Sequence, residues 1–164
     1  KAVWIVRDFN DSVNSAIVSF AHFANRMARM CEDRLSDGWY GRGMSDVTHA
    51  LLCQTYHSDI SEASAAAMMW YYRNVLFFEQ ALDADPRVLL VKYEELVTQP
   101  QHEFPRIFRF LDIPYSPWLS RHVFASSVRR KPAPDIAPSI LALCEGLAQR
   151  LEQVHATQRQ REAM

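Results

Sequence analysis

Two apolar, β-branched runs, Val3-Trp4-Ile5-Val6 and Arg87-Val88-Leu89-Leu90-Val91-Lys92-Tyr93, lie far apart in a chain whose other periodic segments are all helical. Each run is short and continuous, the pattern of a strand buried on both faces of a parallel sheet. Parallel strands cannot be joined by a hairpin and need a crossover, usually a helical one. The expected fold class is therefore α/β and helix-rich, with a partial parallel sheet flanked by helices. A two-stranded sheet is marginal by itself, so further strands are expected from elsewhere. Lys1 opens directly onto the first strand, whereas termini are usually exposed and loosely held. That start predicts the carboxyl-side portion of a longer domain, or a fold completed by another chain.

Residues 1–164 read as a single domain. With 49% hydrophobic and 23% charged residues, the 164-residue chain carries enough apolar material for one core. A net charge of -1 excludes a bulk field that would draw it to nucleic acid or to an acidic membrane, so any bound anion must be held by a local cluster. Cys31, Cys53 and Cys144 are odd in number and lack CxxC spacing. They fit reduced thiols, and hence a cytoplasmic location, better than a disulfide framework. No apolar run approaches the ~20 residues of a transmembrane helix.

Between the strands, Val13, Ile17, Phe20, Ala24, Met27 and Cys31 recur at helical spacing and predict one long amphipathic helix from Asn10 to Leu35. A short helix is expected over Thr48 to His57. Asp59 and Glu62 have capping-box spacing ahead of a helix over Ala63 to Leu82, apolar round most of its circumference and therefore buried. Its Trp70-Tyr71-Tyr72 and Phe77-Phe78 clusters read as core. After the second strand, Glu94 to Val97 looks helical. Pro100 opens the next segment, in which Pro105 predicts a late start or a kink. The final helix, about Pro138 to Thr157, repeats Ile140, Cys144, Leu147, Leu151 and Val154 in steps of four and three, with a polar tail behind it. That stripe needs a partner within the fold or across a homo-oligomer.

Arg7 leaves the sheet at the carboxyl end of the first strand, the edge where open α/β folds bind ligands. With Asp11 as N-cap of the following helix, its free N–H groups, the Arg7 guanidinium and the Ser15 hydroxyl can converge on one phosphate-sized volume. The plainer alternative pairs Arg7 with Asp8 or Asp11 and leaves Ser15 on the helix surface. Val128-Arg129-Arg130-Lys131 is the one dense basic cluster.

Three segments, Val6-Arg7-Asp8-Phe9-Asn10-Asp11 with Ser15, Tyr93-Glu94-Glu95-Leu96 after the second strand, and Phe110-Leu111-Asp112-Ile113, stand in register over residues 1–131. In that order they resemble the carboxyl-side half of the sulfotransferases that use 3'-phosphoadenosine 5'-phosphosulfate (PAPS). The resemblance implies a P-loop-NTPase-like fold and transfer of a sulfuryl group from PAPS to a hydroxyl or amine, leaving 3',5'-diphosphoadenosine. It further implies that Arg7 and Ser15 hold the 3'-phosphate, that Tyr93 lies near the adenine, and that Arg129, Arg130 and Lys131 form a late basic loop over the same phosphate. An arginine fork plus hydroxyl and N–H donors suits such a dianion.

Two departures stand out. Pro132 follows Lys131 where the family has glycine, and no Gly- and Lys-containing loop for the 5'-phosphosulfate occurs anywhere in the chain. The chain is thus expected to supply the 3'-phosphoadenosine-binding half, with a missing amino-terminal half or another chain as partner. The acceptor would be a small molecule, a glycan or a lipid. A competing expectation is a non-catalytic interaction module that docks on a partner chain. The six histidines lack metal-ligand spacing, so no metal is expected, and Ser126 and Ser127 lack partners for a hydrolase triad.

Overall fold

The computed structural model describes residues 1–20, 22–126, 128 and 131–162. Its sheet consists of β1 (Ala2–Val6) and β2 (Val88–Lys92), parallel and in register from Ala2 opposite Val88 to Val6 opposite Lys92. Helices α1 (Phe9–Ser19), α2 (Phe23–Glu32), α3 (Asp46–Thr55) and α4 (Glu62–Glu79) form the crossover. Then come α5 (Tyr93–Thr98), α6 (Pro100–Leu111) and the long α7 (Pro138–Glu162), with 3-10 turns at Gly38–Gly41 and Pro117–Ser120. The α/β, helix-rich expectation holds, and no helix among the described residues is long and apolar enough to cross a membrane.

The core lies between the sheet and α4. Val6, Val88 and Leu90 join Trp70, Tyr72 and Phe77 in one buried cluster, and Trp4 packs its ring 5.6 Å from that of Phe77. Ile140, Cys144, Leu147 and Leu151 of α7 enter the same cluster, so the apolar stripe of the last helix is buried within the chain. Burial pushes the Cys144 thiol up to about 12. Leu89 and Val91 are buried on the opposite face of β2.

Several local expectations are corrected. Ile5 is 52% exposed, so β1 is not covered on both faces as its composition suggested. The helix predicted over Asn10 to Leu35 is two helices, because Phe20 is extended and His22 takes a left-handed φ of 70°. Asp8, not Asp11, is the N-cap of α1; its Oδ1 accepts the Asp11 N–H at 3.0 Å, and Asp11 is buried in the first turn. Ser61 rather than Asp59 caps α4. Helix α6 starts at Pro100 and runs through Pro105, with no late start.

Candidate anion-binding site

The strand ends at Val6, and the half-buried Arg7 is the first residue beyond it. Asp8 then turns the chain into α1, where positions 11, 15 and 18 follow one another at the three- and four-residue spacing of a single helix face. Together Arg7, Asp11, Asn14, Ser15, Val18 and Ser19 border a cavity of about 410 Å³, and Lys131 closes it from the other end of the chain. Arg7, Ser15 and Lys131, singled out in the sequence, are therefore brought together. Arg129 and Arg130 lie outside the described residues.

Tyr93 does not border this cavity. Its ring centroid lies 4.9 Å from the Arg7 Cζ, a cation–π contact that places the tyrosine against the guanidinium. Asn14 was not foreseen. Its Nδ2 donates to the Pro132 carbonyl at 2.9 Å and so ties the segment carrying Lys131 to α1. No spacing rule links residues so distant in sequence; the only hint was that Pro132 departs from the glycine of the related pattern.

A second cavity of about 200 Å³ lies behind Arg7, between the carboxyl ends of both strands and α7. Arg7 and Asp11 border both cavities. Its rim carries Lys92, whose Nζ lies 2.6 Å from Glu152 of α7 and 3.9 Å from Glu95. The anion cavity thus sets the cations Arg7 and Lys131 and several neutral donors against one carboxylate, Asp11, which favours an anion over a cation there.

Two of the histidines are engaged elsewhere. His49 Nε2 lies 2.7 Å from the Met30 carbonyl, and His57 pairs with Asp59 at 2.8 Å. Among the described residues no group of three His, Cys, Asp or Glu side chains is arranged to hold a metal ion.

A family model described as a sulfotransferase domain matches residues 1–131. The chain belongs to the sulfotransferase family. Neither the search of curated proteins nor the search of solved structures found a match. The matched span of this sulfotransferase carries both strands and Arg7, Ser15, Tyr93 and Lys131, and it ends at Lys131, before α7 begins at Pro138.

Proposed function

We propose that this sulfotransferase binds PAPS, with Arg7, Ser15 and Lys131 on the 3'-phosphate, and that the complete protein passes the sulfuryl group to an acceptor hydroxyl or amine. The observation that carries the reading is the common cavity bordered by Arg7, Ser15 and Lys131. Its lining fits a phosphate dianion: a guanidinium fork for two oxygens, a serine hydroxyl and a flexible ammonium. PAPS, when bound, supplies the activated sulfuryl group. The chain's own residues hold and orient the nucleotide end. Arg129 and Arg130 are proposed to join Lys131 over the phosphate, and Tyr93 to approach the adenine while its ring braces Arg7. Small molecules, glycans and lipids all suit such a donor site as acceptors.

The test is calorimetric titration with 3',5'-diphosphoadenosine, together with transfer of labelled sulfate from PAPS. Arg7→Ala should lose about 2 to 5 kcal/mol of binding, a thirtyfold or greater drop in affinity. Undiminished affinity in that variant would remove Arg7 from the site.

A further inference from the structure

The peptide unit that joins Arg7 to Asp8 is held at both of its polar ends by side chains from two different helices. Its carbonyl, Arg7 C=O, accepts the indole N–H of Trp70 at 3.0 Å. Its amide, Asp8 N–H, donates to Glu94 Oε1 at 3.0 Å. In a trans peptide the two groups point in opposite directions, so a partner at each end prevents the plane from turning. Plane orientation sets ψ of Arg7 and φ of Asp8. The first aims the Arg7 side chain; the second sets where α1 begins, since Asp8 is its N-cap.

Both holding residues are well seated. Trp70 is 9% exposed and packs its ring 5.7 Å from that of Phe9, the first residue of α1. Glu94 adjoins Tyr93, whose ring lies against the Arg7 guanidinium. One contact therefore fixes the backbone of Arg7 from α4 and two adjacent residues fix its backbone and side chain from α5. We infer that Trp70 and Glu94 are positioning residues that mount Arg7 for anion binding by clamping the Arg7–Asp8 peptide. Both border the smaller cavity behind Arg7 and neither borders the one shared by Arg7, Ser15 and Lys131, so their effect on the phosphate runs through Arg7. The inference rests on the nucleotide reading above. Loss of the mount leaves the arginine in place but lets it sample orientations that the phosphate must then select against, which lowers affinity.

The experiment measures the affinity of the full chain for 3',5'-diphosphoadenosine in Trp70→Phe, Glu94→Ala, Glu94→Gln and Arg7→Ala, well below the melting midpoint of every variant. Trp70→Phe keeps an aromatic ring against Phe9 but has no N–H, and should bind about five- to tenfold more weakly. Glu94→Ala should lose a similar factor. Glu94→Gln, whose amide oxygen can still accept from Asp8 N–H, should recover most of it, a rescue that a role for the charge itself would not produce. Wild-type affinity in both Trp70→Phe and Glu94→Ala, alongside lost binding in Arg7→Ala, would overturn the mount and leave the nucleotide site standing. Equal losses in Glu94→Ala and Glu94→Gln would overturn it as well. Absence of binding by the unmutated protein would overturn both readings.

Discussion

Arg7 and Lys131 border one cavity but offer it different chemistry, a planar fork from the end of a strand and a point charge on an exposed, flexible stem. Lys131→Ala should therefore weaken binding of 3',5'-diphosphoadenosine less than Arg7→Ala does, and should flatten its salt dependence, as titrations at low and high salt would show. Ser15→Ala removes one neutral hydroxyl and should cost about 1 kcal/mol in the same titration. A different constraint acts at Gly41, where an added Cβ would lie 1.8 Å from the Arg34 carbonyl oxygen. Arg34 cannot easily give way, because its side chain donates to the Met44 carbonyl at 2.9 Å and to Asp46 at 2.5 Å. Gly41→Ala is expected to destabilise the fold by about 1–3 kcal/mol, read as a lower urea midpoint.

Among the elements, α2 owes its start to a distant side chain. Glu62 of α4 accepts the N–H groups of Phe23 and Ala24 at 2.7 and 3.3 Å, capping a helix whose own N-cap residue, His22, makes no side-chain capping bond. Glu62→Ala should cost about 1 kcal/mol of stability by urea denaturation. At the other end of the chain, α7 is tied to α5 and α6 by charge. Arg159 pairs with Glu95 and Glu103, Arg106 pairs with Glu103 and Glu162, and His155 Nε2 lies 3.3 Å from Glu95. Burial holds the His155 pKa below its usual 6.5; Glu95 and Glu152 oppose this, while Arg159 and Arg106 reinforce it. Because folded His155 takes up a proton less readily than the unfolded chain does, stability should fall as pH drops below 6.5 toward the depressed folded value. Burial works to raise the Glu95 pKa, but the hydrogen bond from Arg159 and the nearby His155, Arg159 and Lys92 outweigh it and leave it below 4.5. Its contribution is present above 4.5 and is lost as pH falls through the folded value. Urea midpoints should accordingly decline from pH 7 to 5, and His155→Gln should flatten that decline; an unaltered slope would remove His155 as its cause.

At the scale of the whole molecule, α7 covers one edge of the sheet. Gln158 of α7 accepts the Leu90 N–H at 2.9 Å and donates to the Val88 carbonyl at 3.1 Å, so one side-chain amide covers backbone groups of β2 that would otherwise stand open. With four buried apolar residues on α7 besides, a chain ending at Lys131 should lose cooperative thermal unfolding, even though the family match stops there. Much of this was legible beforehand. The strands announced themselves as continuous apolar runs, and the eight-residue step from Arg7 to Ser15 placed both on one cavity because it follows from strand end and helix pitch. The shift of the cap from Asp11 to Asp8 was a local ambiguity between two acids that could each start a helix. Sequence alone determined the class of each element and the placing of Arg7 and Ser15 on one cavity, since these depend on backbone geometry over a few residues, and it determined the parallel sheet through the continuous apolar pattern of both strands. Tertiary structure decided the break between α1 and α2, the exposure of Ile5, the cover over β2 and the meeting of Lys131 with Arg7. Each of those depends on groups remote along the chain, whose interactions arise only once the intervening helices have packed.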